Sequence, residues 1–210
     1  MSPLENAVYA AIEERILSGE FRPGEPLTEA RITEITGASR TPVRDALHRL
    51  ERDGLVRIEP NRGAFVVGIT REDLADIYEV RRRVEGLAAR RAAEHVTEDD
   101  KQTLLEIVEM QEFFVRRGGD RLKELDSAFH DHVYALCGSR VVTDTIARLH
   151  RQTALFRKRS MHAAGRAEAM VAEHRAIYEA IARGDGDAAE ALTVCHIENA
   201  HLNLLKLLEE

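Results

Sequence analysis

The chain lacks the features that mark membrane and secreted proteins. Its 210 residues include no Trp, only 5% aromatic residues and two cysteines, Cys137 and Cys195. No apolar run approaches the roughly 18 residues of a membrane-spanning helix, and the acidic N-terminus does not resemble a secretory signal. We therefore expect a cytoplasmic protein without membrane contact, whose core is built from Leu, Ile, Val and Ala. Both cysteines are expected to be reduced and buried in apolar helices.

Positive charge is outnumbered by negative charge and is unevenly distributed. The formal net charge of −7 argues against a protein that coats nucleic acid over its whole surface. Residues 1–70 contain nine Arg and no Lys against 11 acidic residues, yet residues 39–62 contain six Arg against four acidic residues. The positive charge of this part of the chain is thus concentrated in one short segment, which leaves a small basic face possible.

Three helices and a hairpin are predicted in the first 70 residues. Apolar residues at four-residue steps predict a helix over 4–18. Thr28 should begin a short helix that Gly37 ends. Ser39 is placed as the N-cap of a third helix, with its hydroxyl accepting a hydrogen bond from a first-turn amide. The sequence LVRIEPNRGAFVVGI then alternates as two strands around PNRG. This order is the winged helix-turn-helix arrangement, whose recognition helix enters the major groove of DNA.

Arginines of the third helix are candidates for DNA contacts. Arg40 and Arg44 lie away from its apolar stripe, and arginine can pair with guanine O6 and N7 or with phosphate. The alternative interpretation is a solvated helix face, as most arginine runs are. The order of the elements favours DNA binding over this alternative.

The sequence FRPGEPLTEARITEITGASRTPVRDALHRLERDGLVRIEPNRGAFV resembles the N-terminal domain of GntR-family bacterial transcription regulators. Residues 71–210 resemble the helical effector domain of the FadR subfamily, called FCD. The resemblance implies a mostly α protein. A winged helix-turn-helix domain would cover residues 1–69, and an all-α antiparallel helical bundle would cover residues 70–210. The stretch VGITRED, residues 67–73, is the expected hinge between them.

The same resemblance implies which residues touch DNA. Ser39, Arg40, Thr41 and Arg44 would contact DNA from the recognition helix, and Gly63 in the wing would approach the minor groove. Two further candidates accompany them: Arg31, beside a position where some relatives carry a DNA-contacting arginine, and Arg62 in the hairpin.

Four residues of the second domain could bind a metal ion. Asp126 and His130 lie four residues apart in a predicted helix and therefore share one face. His174 and His196 lie on the last two predicted helices, beside the apolar stripes. Three imidazoles and one carboxylate suit Zn, Ni, Mn or Fe, with Zn expected in the isolated protein. The alternative is that these are ordinary surface or core histidines, since nine His residues make chance pairs common. The FCD resemblance favours the metal, because metal-binding members use this pattern.

A carboxylate effector would need a cation besides the metal. By the FCD resemblance, Arg81 would point into the effector pocket. It could equally form an intrahelical pair with Glu85 at i+4, and both interpretations stay open. Arg148 on a facing helix is a weaker candidate.

These features predict a transcription regulator, expected to be a repressor, that responds to a small organic acid. It would bind a near-palindromic double-stranded DNA operator as a homodimer, because twofold symmetry matches two half-sites. Two alternatives remain: a DNA-binding regulator with a purely structural metal, and a metal-dependent hydrolase-like enzyme in which the ion activates water.

Overall fold

The computed structural model describes residues 3–60, 62–67, 71–117, 121–161 and 165–207. The described elements are α1 Pro3–Leu17, β1 Pro26–Leu27, α2 Glu29–Thr36, α3 Arg40–Arg52, β2 Val56–Glu59, β3 Gly63–Val66, α4 Arg71–His95, α5 Glu98–Arg117, α6 Leu122–Leu136, α7 Arg140–Met161, α8 Arg166–Ala182 and α9 Gly186–Leu207. The predicted fold class, a mostly helical chain with a winged helix-turn-helix followed by a helical bundle, is confirmed. Within the predicted hinge, residues 68–70 lie outside the described residues.

Contacts group the chain into two compact units. The first comprises Met1–Leu74 together with Arg151–Leu155, and the second comprises Ala75–His150 and Phe156–Glu210. None of the helices in the described part of the chain is both long enough and apolar enough to cross a membrane.

The helix boundaries of the first unit follow local chemistry. The Thr28 hydroxyl accepts a hydrogen bond from the Arg31 amide at 3.2 Å and caps α2, and Gly37 ends that helix with a left-handed φ of 68°. Ser39 occupies the N-cap of α3, but its side chain makes no capping hydrogen bond. The prediction of a capping hydroxyl at Ser39 was therefore wrong, although the helix begins where it was expected.

The wing has three strands instead of the predicted two. β2 and β3 pair antiparallel, with Val56 opposite Val66, and β1 pairs with the other edge of β3. The third strand, β1, contains Pro26, which cannot donate a backbone hydrogen bond. At the edge of a sheet this donor is not needed, so Pro26 and the buried Leu27 form a short edge strand.

The apolar stripe of α3 forms the centre of the first core. Val43, Ala46, Leu47 and Leu50 are buried, and they belong to one cluster with residues of α1, α2 and the wing. Since this stripe faces inward, Arg40, Arg44 and Arg52 on the other faces of α3 are exposed.

The second unit is an all-helical bundle with a separate core. α5 begins with a reciprocal cap, in which the Thr97 backbone amide donates to Asp100 at 3.1 Å and the Asp100 amide donates to the Thr97 hydroxyl at 3.2 Å. α4 and α9 approach each other closely at Gly86, where an added Cβ would lie 3.1 Å from Val194 Cγ2. The core combines small residues of α4 with larger residues of α5, α6, α7 and α8, including Leu104, Phe129, Ile146 and Ile177.

The two cysteines differ in burial. Cys137 is buried at the end of α6, as predicted, whereas Cys195 is exposed. The buried face of α9 includes Thr193, His196 and Ile197. Cys195 is about 100° from His196 and about 160° from Thr193 around the helix, so it lies on the opposite face.

Candidate metal centre and DNA-binding surface

Three histidines from three helices meet inside the second unit. His130 on α6, His174 on α8 and His196 on α9 each offer a ligand atom, and these atoms lie within 4.8 Å of one another. All three side chains are buried. An ion about 2.1 Å from each nitrogen would bring them to within about 4.2 Å of one another. Only a small closure of the side chains is therefore needed to hold a metal.

Asp126 lies at the same cluster. Its Oδ1 is 3.6 Å from His130 Nε2 and 3.8 Å from His174 Nε2. The i,i+4 spacing on α6 places Asp126 and His130 on one face, and both are buried. The four residues singled out in the sequence are thus close neighbours in the structure.

The Nδ1 nitrogen of His130 forms a hydrogen bond with a tyrosine. Tyr134 donates its hydroxyl hydrogen to Glu85 Oε2 at 2.5 Å, and its oxygen lies 3.1 Å from His130 Nδ1. Because the tyrosine hydrogen is used on Glu85, its oxygen accepts a hydrogen bond from His130 Nδ1–H. That tautomer places the lone pair on Nε2, the nitrogen nearer Asp126.

His174 is oriented by a buried glutamine. Gln111 donates its side-chain amide to the Leu125 carbonyl at 2.9 Å, which turns its Oε1 toward His174 Nδ1, also at 2.9 Å. His174 therefore donates from Nδ1 and carries its lone pair on Nε2. Gln111 is fully buried, so the amide is well placed to fix this ring.

His196 is oriented by a carboxylate. Its Nδ1 lies 2.6 Å from Glu173 Oε2, and Glu173 also accepts hydrogen bonds from Arg166 and Asn199. Burial alone would raise the pKa of Glu173, but the hydrogen bonds from His196 and Arg166 outweigh it and lower the pKa to about 2. The carboxylate is therefore ionised and holds a proton on His196 Nδ1.

These outer contacts fit a metal site. Histidine ligands usually donate their second ring N–H to a carboxylate, a carbonyl or a similar acceptor, which fixes the tautomer and the ring orientation. All three rings here have such a contact at Nδ1, and two of the Nε2 atoms lie beside the Asp126 carboxylate. The buried histidine triad could bind a metal ion, and its ligand types suit several divalent transition metals.

Arg81 forms the intrahelical pair that the sequence left open. Its Nε donates to Glu85 Oε1 at 2.6 Å, and both side chains are buried. Glu85 also accepts from His150 Nε2 at 3.0 Å. Burial would raise the pKa of Glu85, but the charges of Arg81 and His150 hold it well below its usual range. Arg148, the other effector candidate, is exposed on α7.

The candidate DNA-binding residues of α3 lie on its exposed surface. Ser39, Arg40, Thr41 and Arg44 are all exposed. Arg44 Nε donates a hydrogen bond at 2.5 Å to Oε1 of Glu29, which lies in the first turn of α2. This contact uses Nε and leaves the two terminal nitrogens as the donors that would reach a base or a phosphate.

The wing presents its candidates in the same unit. Gly63 is exposed and has a φ of 91°, a conformation that side-chain-bearing residues rarely adopt. Arg62 pairs with Glu59 and lies 5.3 Å from the Phe65 ring centroid. A crevice of about 290 Å³ is lined by residues of both the helices and the wing, including Glu29, Arg44 and Gly63.

Arg31 contacts two residues that precede α2. Its Nη1 donates to Glu25 at 2.5 Å, and its guanidinium carbon lies 4.7 Å from the Phe21 ring centroid.

Two known protein families match successive parts of this chain. A winged helix-turn-helix joined to a helical bundle is the architecture of a DNA-binding regulator with a ligand-binding domain. Residues 4–66 match the family described as bacterial regulatory proteins, gntR family, and residues 76–199 match the FCD domain. The chain belongs to the GntR family of transcription regulators and carries an FCD domain. This family comprises regulators, not enzymes, so the hydrolase alternative is set aside.

Similar proteins support this assignment over the whole chain. The HTH-type transcriptional repressor RspR of Escherichia coli K12 is 28% identical, covering 99% of this chain and 92% of its own. The galactonate operon transcriptional repressor of the same organism is 27% identical, covering 95% and 96%. The crystal structure of a GntR-type regulator from Rhodococcus sp. RHA1 has a TM-score of 0.64 and 28% identity, covering 98% of this chain and 99% of that one.

The sequence did not reveal the residues that orient the histidines. Gln111, Tyr134 and Glu173 lie on helices that were predicted, but no spacing rule connects them to ligands on other helices. His150, which was not among the predicted metal ligands, pairs with Glu85. The one available signal was Tyr134, which lies four residues after His130 and so shares its face.

Proposed function

We propose that this transcription regulator binds a divalent metal through Asp126, His130, His174 and His196. The observation that supports the proposal is the common orientation of the three rings, each engaged at Nδ1 by an acceptor. The metal would be Zn, Ni, Mn or Fe, with Zn expected in the isolated protein. When bound, the ion supplies a Lewis-acidic centre that can accept a ligand carboxylate.

A small organic acid is the proposed effector. The buried Arg81 lies two hydrogen-bonded side chains away from His130, through Glu85 and Tyr134, and supplies the nearby cation. Arg148 is exposed, and we assign it no more than a secondary role. We propose domain limits of 1–69 for DNA binding and 70–210 for effector binding.

The DNA-binding role is assigned to exposed side chains of α2, α3 and the wing. Arg44 would read a base or contact phosphate, with Arg40, Ser39 and Thr41 beside it on the same helix. Gly63 would approach the minor groove, and Arg31 and Arg62 would make further contacts. A homodimer would place two such surfaces on a near-palindromic operator.

Effector binding would change operator affinity by favouring one arrangement of the DNA-binding domains. We expect the acid to release the operator, with a coupling that changes affinity by about 5- to 150-fold. Linkage requires the operator to change acid affinity by the same factor. Equal acid affinities with and without the operator would mean that there is no allosteric switch, and the metal would then be a structural element.

An operator titration with zinc-loaded protein tests this proposal. Short-chain carboxylates are added one at a time at saturating concentration. One of them should weaken operator binding by the wild-type protein. Asp126→Ala should lose this response while keeping the operator affinity of the acid-free protein. Asp131→Ala is the matched control, since it removes an exposed aspartate from the same helix. An undiminished response in Asp126→Ala would contradict the proposal.

A further inference from the structure

An acidic residue lies among the candidate DNA-contacting residues of the first unit. Glu29 is the first residue of α2, and its carboxylate accepts a hydrogen bond from Arg44 Nε. The side chain of Glu29 is 32% exposed and that of Arg44 is 61% exposed. The phosphates of DNA repel a carboxylate. A surface that binds DNA should therefore contain a carboxylate only where that group has a role.

The position of the Glu29 carboxylate is set by α2. The Thr28 hydroxyl caps this helix, and the positive end of the helix dipole favours a negative charge in the first turn. The hydrogen bond from Arg44 lowers the pKa of Glu29, so the carboxylate is ionised near neutral pH. Glu29 therefore places a negative charge beside a long arginine side chain that would otherwise have considerable rotamer freedom.

The hydrogen bond to Glu29 determines which edge of Arg44 is available to DNA. A guanidinium group is planar and carries five N–H donors in a fixed arrangement. Since Nε donates to Glu29, the edge that contains Nε is occupied. The edge formed by the two terminal nitrogens remains, and a pair of donors of this kind matches O6 and N7 of guanine.

The charge of Glu29 favours a base over a phosphate as the partner of Arg44. Guanine O6 and N7 are uncharged acceptors, whereas a phosphate would bring its own negative charge close to the carboxylate, and like charges repel. Phosphate contacts supply affinity without sequence information, and base contacts supply specificity. Glu29 should therefore lower the affinity for DNA in general and raise the discrimination between sequences.

The crevice beside the ion pair has mostly apolar walls. Its lining includes Leu27, Leu47, Ile58 and Ala64 together with Glu29 and Arg44. Among the described residues that line this crevice, Glu29 is the one carboxylate. Within the crevice, Glu29 is therefore the group that can hold the Arg44 guanidinium through both charge and a hydrogen bond.

We propose that Glu29 makes Arg44 a reader of guanine instead of a phosphate contact. In this role Glu29 is a positioning residue, because it acts through Arg44 and contacts no base itself. The inference rests on the proposed function, since it takes Arg44 to contact DNA.

Selection from a pool of duplex DNA with a randomised internal segment tests this role without a known operator. The full-length protein, without added acid, enriches duplexes at fixed salt, and the bound sequences are counted by sequencing. The duplex most enriched by wild type and a scrambled duplex of the same composition are then the two probes in binding titrations. Wild-type protein should show a clear preference for guanine at one position of each half-site.

Replacing Glu29 should relax this preference. Glu29→Gln should reduce the ratio of the affinities for the enriched and the scrambled duplex several-fold, mainly through tighter binding of the scrambled duplex, because a repulsive charge is removed. Glutamine has a helix propensity similar to that of glutamate, so the fold should be retained, which thermal unfolding checks. Glu34→Gln is the matched control, since it removes the same charge from an exposed position of the same helix. It should leave the ratio and the guanine preference unchanged.

A double variant shows whether Glu29 acts through Arg44. The guanine preference should be lost in Arg44→Ala, and adding Glu29→Gln to this variant should change the base preference no further, because the arginine that Glu29 positions is gone. A base preference that changed on replacing Glu29 in the Arg44→Ala variant would overturn the inference, since Glu29 would then contact a base itself.

The remaining outcomes separate this inference from the proposed function. If Glu29→Gln changed the affinity ratio no more than Glu34→Gln, the positioning role would be overturned while the DNA-binding role of Arg44 stood. If Arg44→Ala left the enriched sequences unchanged, or if wild type enriched none, the DNA-binding role proposed for Arg44 would fail and this inference with it.

Discussion

Replacing Gln111 by leucine would remove the group that orients His174 without touching a proposed metal ligand. Gln111 accepts a hydrogen bond from His174 Nδ1 and donates to the Leu125 carbonyl. Leucine has a similar volume and fills the same buried position, but it offers neither contact. The substitution therefore separates the orientation of the ligand from the presence of the ligand.

The expected effects on metal affinity and on folding are of similar size. Loss of an outer-shell partner of a ligating histidine typically weakens metal binding by about 10- to 100-fold. For folding, a buried His174 Nδ1–H without an acceptor costs about 1–3 kcal/mol, and the buried leucine side chain offsets part of this. We therefore expect a folded protein with weakened metal binding.

Competition with a chromogenic chelator at neutral pH measures zinc affinity, and thermal unfolding of the metal-free protein measures stability. Gln102→Leu is the matched control, because it makes the same change on the exposed face of the same helix. It should leave zinc affinity unchanged. Zinc affinity equal to that of wild type in Gln111→Leu would refute the role given to this residue and weaken the case for His174 as a ligand.

Two further predictions concern the DNA-binding surface and acid stability. Arg44→Ala should weaken operator binding by about tenfold to a hundredfold and, if Arg44 reads a base, relax specificity at that base pair. Arg22→Ala, which removes an exposed arginine outside α3, should have a smaller and sequence-independent effect in the same fixed-salt titration. Hydrogen bonds from Thr97 lower the pKa of Asp100 in the folded state. The charge of Asp100 therefore stabilises the folded state above the unfolded pKa of about 3.9. This contribution is lost as the pH falls through the lowered pKa of the folded state. Asp100→Asn should therefore melt below wild type at neutral pH, and the difference should shrink below about pH 4. A difference that is independent of pH would rule out this role for the charge.

The sequence predicted those features that depend on local patterns. Helix boundaries followed from periodicity and caps, as at Thr28 and Gly37, because these signals act within one or two turns. The shared face of Asp126 and His130 followed from their spacing alone. The edge strand at Pro26 and the exposed side of Cys195 were missed, because both depend on which neighbours the chain meets in three dimensions.

The surroundings of the candidate site could not be predicted from local patterns. Gln111 and His174 are 63 residues apart in sequence, and a buried glutamine leaves no periodic signal. The i,i+4 spacing of Arg81 and Glu85 is apparent in the sequence. Only the structure shows that the pair is buried and that Glu85 also forms hydrogen bonds with Tyr134 and His150. The buried polar contacts around the histidines depend on how the helices pack, so only the three-dimensional structure shows them.

Native mass spectrometry of the protein as isolated tests the central claim most directly. The claim is that His130 and His174, with Asp126 and His196, hold a metal ion in each chain. For wild type we predict the mass of a dimer with one divalent metal per chain. The His130→Ala, His174→Ala double variant should give the dimer without metal, and the dimer mass itself confirms that it is folded. Full metal content in the double variant, or a wild-type dimer that binds no added zinc, would contradict the account.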